Sequence, residues 1–325
     1  MAIGVADIEQ AALRLRGFAV RTPVLQSVQL NARAGGCILI KAECLQRTGS
    51  FKFRGAWNTI SQLDPAVTRG GVVAFSSGNH GQGVAAAAQL KGLPALIVMP
   101  ADTPAIKIAN TKSYGAEIVT YDRARESREA IAAELVRQRG AVLVPPFEHE
   151  AVIAGQGTAG MEFAAQAAEL GLVLDAVLVP CSGGGLTAGI ALAMEARSPA
   201  TRVHTVEPEG FDDMARSLRS GVREKNAASH GSLCDALLTP QPGEMTFAIN
   251  KPRLGDGLLV SEAEVCAAMR YAFEVLKLVI EPGGAVALAA VLTGKIAVKG
   301  RTIGVIASGG NVDAALFAKI LDGLI

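Results

Sequence analysis

The feature that most constrains this 325-residue chain is a regular alternation of short apolar runs with longer, alanine-rich segments. Apolar runs of this length predict buried strands, and the segments between them have the length of helices. Strands that alternate with helices form parallel sheets covered by helices on both faces. The runs that predict strands are VVAFSS, ALIVMP, EIVTYD, AVLVP, AVLVPC, RVHTVE and TIGVIAS.

Two segments predict where helices begin. The N-terminal residues MAIGVADIEQAALRLRG carry charges in an amphipathic pattern, so they predict a helix and not a signal peptide. Ser261 followed by Glu264 has the spacing of a capping box, which predicts the start of a helix over EVCAAMRYAFEVLKLV. No apolar run reaches the roughly 18 residues that a membrane-spanning helix needs.

Charge and cysteine content limit the partners and the compartment. The formal net charge is +1 and there is no basic run, so nucleic acid is not expected as a partner. The five cysteines are odd in number and lack metal-type or redox spacing, which indicates buried thiols in a reducing compartment. We therefore expect a cytoplasmic enzyme that acts on a small molecule and does not bind a membrane.

Three predicted strands run directly into a glycine-bearing loop and then a helix. Such loops direct backbone N–H groups and a helix N-terminus toward the carboxyl end of the sheet. One loop of this kind is often only a packing device, but three together favour a small anionic ligand where the strands end. The three segments are FSSGNHGQG, VPCSGGGLTAG and IASGGNVDAA.

Lys52 is the candidate reactive group. It lies in RTGSFKFRGA between Phe51 and Phe53, where a lysine can simply be a surface residue on a half-buried segment. A desolvated lysine instead has a lowered pKa and becomes an amine nucleophile for carbonyls. The run CSGGGL would supply backbone donors for the phosphate of a carbonyl cofactor.

Five motifs occur in one order: SFKFRGA, SSGNHGQG, CSGGGLTAG, EPGGAVA and SGGNVD. Together they resemble the serine/threonine dehydratase and serine racemase family, which are pyridoxal-phosphate enzymes of the tryptophan-synthase-β fold type. The resemblance extends from about residue 20 to the C-terminus. Cysteine synthases share this fold but usually show a different lysine motif and an SGNTG loop. Arg54 and His80 therefore favour the dehydratase and racemase branch.

The resemblance implies an α/β, two-lobed fold type II pyridoxal-phosphate enzyme with mainly parallel sheets. The pyridoxal 5'-phosphate would lie in the cleft between the lobes. The large cofactor-binding lobe would combine residues 1–68 with 150–325, and the small mobile lobe would be residues 69–149. A homodimer is expected.

The same resemblance implies a set of cofactor-binding residues. Lys52 would hold the cofactor as a Schiff base and act as the catalytic base, with Phe51 beside the ring. Asn79 would hydrogen-bond the ring hydroxyl, and Ser308 would face the pyridine nitrogen. The phosphate would be bound by the backbone N–H groups of Ser182, Gly183, Gly184, Gly185 and Leu186.

Substrate-binding residues are implied in two places. The substrate carboxylate would lie against Ser76, Asn79 and His80 in the loop SSGNH. Arg128, in ESREAI, matches an arginine of the racemase branch near the substrate cleft, although it can also be an ordinary surface cation. Ser77 matches a racemase serine that acts as acid or base on the face opposite the lysine. It can equally be a loop hydroxyl that closes a turn.

A divalent cation site is implied by VEPEGFDD. Glu207 and Asp213 match a glutamate and an aspartate that bind the cation in this family, and Phe211 matches a backbone carbonyl ligand between them. Carboxylate and carbonyl oxygens suit a hard cation, here Mg²⁺, Ca²⁺ or Mn²⁺. Acidic residues in a loop are otherwise usually only solvated.

The implied reaction is β-elimination from a β-hydroxy-α-amino acid of the L-threonine or L-serine type, which yields a keto acid and ammonia. A neutral hydroxyl at the pyridine nitrogen suits β-elimination. A 3-hydroxyaspartate dehydratase and a serine- or aspartate-type racemase remain alternatives. A second carboxylate in the substrate would need a nearby cation, for which Arg128, Lys251 and Arg253 are candidates, although an ordinary surface cation is the favoured interpretation of each. A noncatalytic ligand-binding protein is disfavoured by the intact Lys52 motif.

Overall fold

Two mainly parallel sheets organise the chain, for which the computed structural model describes residues 3–76, 78–103, 105–122 and 125–325. The strands are β1 (Val24–Leu25), β2 (Cys37–Lys41), β3 (Val72–Phe75), β4 (Ala95–Pro100), β5 (Glu117–Tyr121), β6 (Val142–Leu143), β7 (Ala176–Pro180), β8 (Arg202–Pro208), β9 (Leu258–Val260) and β10 (Thr302–Ile306). One sheet has the order β1-β2-β10-β7-β8-β9, and the other has the order β5-β4-β3-β6. Among these strands only β1 and β2 pair antiparallel, so the prediction of mainly parallel sheets is confirmed.

Helices connect and cover these strands. They are α1 (Val5–Leu15), α2 (Val28–Ala34), α3 (Lys52–Ile60), α4 (Asn79–Lys91), α5 (Ala105–Ser113), α6 (Arg128–Arg139), α7 (Glu150–Glu169), α8 (Gly185–Arg197), α9 (Asp213–Ser220), α10 (Glu244–Asn250), α11 (Glu262–Tyr271), α12 (Pro282–Leu292) and α13 (Ala314–Leu321). Within the described ranges, every helix is too short or too polar to cross a bilayer.

The six-stranded sheet is covered on both faces, as predicted for a parallel sheet. On one face Ile38, Leu178 and Val305 pack with the buried residues of α11 and α12. On the other face Leu39 and Val177 pack with residues of α7 and α8. Successive residues of one strand therefore face opposite layers, which is why these strands are continuous apolar runs in the sequence.

The seven apolar runs of the sequence each contain a strand, whereas β1, β2 and β9 were not predicted. The capping box is confirmed, because Ser261 Oγ accepts from the Glu264 N–H and the Glu264 carboxylate accepts from the Ser261 N–H. The predicted length of that helix was wrong. α11 ends at Tyr271, continues as a π-helical turn over 272–276 and stops at Lys277, where φ is 59°.

The four-stranded sheet uses residues 72–143, which lie inside the range predicted for the small lobe. One apolar cluster nevertheless joins Val72 and Ala74 of this sheet to Ile8 of α1 and to Phe53 and Trp57 of α3. The core of this half therefore includes helices from outside residues 69–149. The division into lobes stays a prediction.

Candidate active site

A cavity of about 330 Å³ opens where β3, β7 and β10 end. It is lined by each residue that was predicted to bind cofactor or substrate and that the structure describes: Phe51, Lys52, Ser76, Asn79, His80, Arg128, Ser182, Gly183, Gly184, Gly185, Leu186 and Ser308. Ser77 lies outside the described residues. A cavity that gathers polar groups from three separate loops is the expected form of a small-molecule site.

Lys52 occupies the first position of α3, with its side chain half-buried against the cavity. Its Nζ donates to Pro146 O at 2.7 Å and lies 5.2 Å from the centre of the Phe51 ring. Burial lowers the pKa of Lys52 to about 8. The positive end of the α3 dipole also disfavours an ammonium group at this position. Part of the amine is therefore neutral near pH 7, as a carbonyl nucleophile requires.

The loop before Lys52 is fixed against the loop that carries Ser308. Ser50 forms an antiparallel bridge with Gly309, and the Phe51 N–H donates to Ser308 O at 3.1 Å. Ser308 is buried, with 5% of its surface exposed. These backbone contacts hold Lys52 and Ser308 against each other in the lining of the same cavity.

A network of buried ion pairs holds α3 in position. Arg54 is fully buried and binds Glu43 through Nε at 2.7 Å and Glu162 through Nη1 at 2.8 Å. Lys41, also fully buried, donates to Glu162 Oε2 at 2.7 Å. The Arg54 and Lys41 charges together hold the pKa of Glu43 below its usual value, although burial alone would raise it. The sequence identified only Arg54, as a motif residue. Glu43 lies 11 residues before it and Glu162 lies 108 residues after it, and neither belongs to one of the five motifs.

The run 182–185, called the glycine loop below, has no room for side chains at its glycines. A Cβ on Gly183 would lie 2.5 Å from the Phe147 ring, and one on Gly184 would lie 2.7 Å from Met214 Cε. Gly184 also has a φ of 90°, which disfavours other residues. α8 begins directly after it, at Gly185. The free N–H groups of a helix start and a close backbone approach make an anion-binding site.

Asn79 connects the loop after β3 to Glu281 and Asn311, two motif residues that had no assigned role. Its Nδ2 donates to Glu281 Oε1 at 2.5 Å, and its Oδ1 accepts from Asn311 Nδ2 at 2.8 Å. Glu281 lines the cavity and is 2% exposed. Burial raises the pKa of Glu281 to about 7, and its Oε2 has no hydrogen-bond partner among the described residues. The motifs EPGGAVA and SGGNVD pointed to these residues without indicating that they meet at Asn79.

His80 is buried as a neutral imidazole. Its Nε2 lies 2.8 Å from Val144 O, so this nitrogen carries the proton and donates it to the carbonyl. Burial, with a smaller effect from the nearby Lys52 charge, lowers the pKa of His80 to about 3. The ring therefore has no second N–H for a carboxylate. The backbone N–H of His80, in the first turn of α4, is the group that could bind one.

Two cations besides Lys52 line the cavity in the described part of the chain. Arg128 is one-third exposed, binds Glu129 at 2.8 Å, and lies 5.1 Å above the Phe75 ring. Lys107, which the sequence did not identify, binds Asp235 at 2.5 Å.

The other candidates, Lys251 and Arg253, lie outside the cavity: Lys251 binds Gly221 O, and Arg253 binds Glu195. These two residues are therefore ordinary surface cations and are excluded as partners of a second substrate carboxylate.

The predicted cation ligands Glu207 and Asp213 lie outside the cavity lining and are fully buried. The Glu207 carboxylate accepts from the Met214 and Ala215 N–H groups at 3.0 and 2.8 Å. Asp213 Oδ1 accepts from Asn226, whereas Oδ2 has no partner within the described ranges. Burial raises the pKa of Asp213 to about 7 and that of Glu207 well above its usual value. The unpaired Asp213 oxygen beside a second buried carboxylate is compatible with a cation ligand, but the described residues contain no cluster of three His, Cys, Asp or Glu side chains that could hold a metal ion.

Comparisons with known proteins identify the protein family. The sequence model of the family described as pyridoxal-phosphate dependent enzyme matches residues 15–309. The chain therefore belongs to this family, and its fold is that of fold type II pyridoxal-phosphate enzymes. The residues of the cavity fit the cofactor: a partly neutral amine at Lys52 suits its aldehyde, and the glycine loop suits its phosphate.

Individual relatives resemble the chain over nearly its whole length. It is 46% identical over 317 residues to the L-threo-3-hydroxyaspartate ammonia-lyase of a Pseudomonas species, with 98% of each chain covered. The crystal structure of T.th. threonine deaminase has a TM-score of 0.90 and 44% identity, covering 95% of this chain and 99% of that one. Maize serine racemase has a TM-score of 0.92 and 38% identity, covering 100% and 98%.

Proposed function

We propose that this enzyme is an ammonia-lyase that eliminates water from β-hydroxy-α-amino acids and releases a keto acid and ammonia. The observation that carries the proposal is the arrangement of one cavity. It combines a partly neutral lysine, a glycine loop at a helix start, and a serine hydroxyl from a third loop. The names of two similar proteins, L-threo-3-hydroxyaspartate ammonia-lyase and threonine deaminase, support this reaction class.

The bound cofactor would supply an electron sink for the Cα of an amino-acid substrate. Lys52 would hold it covalently and, as a neutral amine, would accept the Cα proton. The N–H groups of the glycine loop would bind its phosphate, and the Ser308 hydroxyl would face its ring nitrogen. Ser76 and the N-terminal turn of α4 would bind the substrate carboxylate and so orient the Cα–H bond toward Lys52 Nζ.

Within this class we favour 3-hydroxyaspartate as the better substrate, with L-threonine and L-serine as weaker ones. A second carboxylate is costly to bury without a partner. Arg128 and Lys107 line the cavity, and both cations already bind carboxylates of the protein, Glu129 and Asp235. A substrate carboxylate could replace Glu129 at the partly exposed Arg128.

Replacing Arg128 with alanine is expected to lower kcat/KM for L-threo-3-hydroxyaspartate at least about tenfold more than for L-threonine. A charge-assisted hydrogen bond to the second carboxylate contributes this much, and threonine has no such group. Ammonia release from the two substrates measures the effect. Arg125→Ala is the control, since Arg125 is an exposed cation three residues away that does not line the cavity. Equal losses for both substrates, or no activity on hydroxyaspartate, would contradict the dicarboxylate specificity.

Racemisation is a second candidate, suggested by the likeness to maize serine racemase. Inversion at Cα requires a proton donor on the face opposite Lys52. Ser77 remains the residue proposed for that role, and it lies outside the described residues. Chiral analysis of the amino acid recovered during turnover separates racemisation from elimination.

We also propose that Glu207, Asp213 and the Phe211 carbonyl bind a divalent cation, Mg²⁺ being the first choice. A cation that binds only the folded state must stabilise it, by about 2.7 kcal/mol at one hundred times its Kd. Chelation is therefore expected to lower the Tm of the wild type and to leave that of Glu207→Gln unchanged. Glu209→Gln, at an exposed neighbour, should respond like the wild type. A Tm that chelation does not alter in the wild type would refute the site.

Three further features are part of this proposal. Residues 69–149 would form the small mobile lobe, which is supported by the four-stranded sheet within that range. The chain would form a homodimer, which sedimentation can test. The five cysteines are free thiols, which supports a reducing compartment and hence the cytoplasm.

A further inference from the structure

The glycine loop packs against α10. None of the sequence motifs predicted a role for this helix. Thr246 Oγ1 donates to Gly183 O at 2.6 Å, and Asn250 Nδ2 donates to Gly184 O at 3.1 Å. Both side chains are fully buried, and neither lines the cavity. Their polar groups therefore act on the loop from the side that faces away from a ligand.

These two bonds fix the direction of the loop's N–H groups. A trans peptide directs its C=O and N–H to opposite sides. Holding Gly183 O and Gly184 O against α10 therefore turns the next N–H groups, those of Gly184 and Gly185, away from α10. They stand at the start of α8, where backbone N–H groups attract anions.

Close packing on both sides restricts the backbone conformation of the glycine loop. A Cβ on Gly184 would approach Asn250 Nδ2 to 2.9 Å and Thr246 Oγ1 to 3.1 Å, so the backbone lies directly on these groups. On its other side the Phe147 ring packs against Gly183. Gly184 O also accepts from the Ala188 N–H of α8 at 2.9 Å. Without the Thr246 and Asn250 donors, the two carbonyls would be buried with fewer partners and their peptide planes would be held less firmly.

α10 is itself fixed at its N-terminus. The Met245 N–H donates to Glu148, and the Gly243 N–H donates to Gly183 O at 3.2 Å. Glu148 follows shortly after Pro146, whose carbonyl accepts from Lys52. The segment 146–148 thus contacts both Lys52 and α10. These contacts fix the position of Lys52 relative to the glycine loop.

We propose that Thr246 and Asn250 are positioning residues that set the affinity of the glycine loop for the phosphate of the cofactor. They do so by holding two carbonyls so that the following N–H groups face the ligand. The inference rests on the phosphate-binding role proposed above for this loop. Pyridoxal, which has the same aldehyde but no phosphate, separates the phosphate contribution from the attachment to Lys52.

The test measures Kd of the apoenzyme for pyridoxal phosphate and for pyridoxal by absorbance titration. Thr246→Val and Asn250→Leu keep approximate shape and remove the donors. Each is expected to raise Kd for pyridoxal phosphate about tenfold and to leave Kd for pyridoxal within about twofold. Thr246→Ser, which keeps the hydroxyl, should bind like the wild type. Inorganic phosphate should also compete less well in the two variants.

Thr201→Val is the matched control, because it removes a similar buried bond, from Thr201 Oγ1 to Leu174 O at 2.7 Å, away from the loop. It should change neither Kd. Equal effects on both ligands, or unchanged binding of pyridoxal phosphate in Thr246→Val and Asn250→Leu, would overturn the proposal and leave α10 as structural support. A wild-type enzyme that binds pyridoxal as tightly as pyridoxal phosphate would refute the phosphate role of the loop itself.

Discussion

Lys52→Ala is expected to lower turnover of any β-hydroxy amino acid by at least about a thousandfold, because it removes both the cofactor attachment and the Cα base. The fold should persist, since Lys52 Nζ makes a single hydrogen bond within the described residues, to Pro146 O. Lys52→Arg should not restore activity, because an arginine keeps the charge but is not a usable amine nucleophile.

The exposed lysine of α5, Lys112, provides the control: Lys112→Ala should retain wild-type turnover and stability. If Lys52→Ala kept more than about a tenth of the wild-type turnover, the assignment of Lys52 would fail. A loss of turnover together with a collapse of Tm would show instead that Lys52 supports the fold.

Arg54→Met is expected to reduce the free energy of unfolding by about 3–5 kcal/mol, since it leaves the buried Glu43 carboxylate without its main partner. Urea denaturation measures the loss. Arg137→Met is the control, because Arg137 pairs with Glu134 at an exposed position of α6 and should contribute less than about 1 kcal/mol. A loss of that small size for Arg54→Met would contradict the structural role of the buried network.

The pH dependence of that loss gives a second check. The pKa of Glu43 is lowered in the folded wild type, so its contribution to stability is present above its unfolded pKa and is lost as the pH falls through the folded value. In Arg54→Met the carboxylate would be buried with less compensation, and its pKa would rise. The stability difference between the two proteins should therefore shrink as the pH falls.

Local patterns were sufficient for most of the fold. Continuous apolar runs identified the strands of both sheets, except for β1, β2 and β9. β1 and β9 are only two and three residues long, and β2 has only four apolar residues before Lys41. The end of α11 was missed because Lys277 adopts a left-handed conformation that its residue type does not suggest.

The sequence predicted those residues of the candidate site that belong to recognisable motifs. Lys52, the glycine loop and Ser308 belong to contiguous motifs, and they line one cavity. Glu281 was given no role and Lys107 was not identified, because their significance arises from contacts with Asn79 and Asp235, more than a hundred residues away in sequence. Lys251 and Arg253 were candidates because a sequence shows charge, but it does not show where a side chain lies, and both lie outside the cavity lining.

The most direct test of the proposed chemistry locates the cofactor on the chain. The holoenzyme is reduced with borohydride, digested and mapped by mass spectrometry, which leaves a stable pyridoxyl group on the attached lysine. We predict that this group is found on the peptide that contains Lys52, and that the visible absorption band of the holoenzyme disappears on reduction. A pyridoxyl group on another lysine, or none on a catalytically active enzyme, would contradict the assignment.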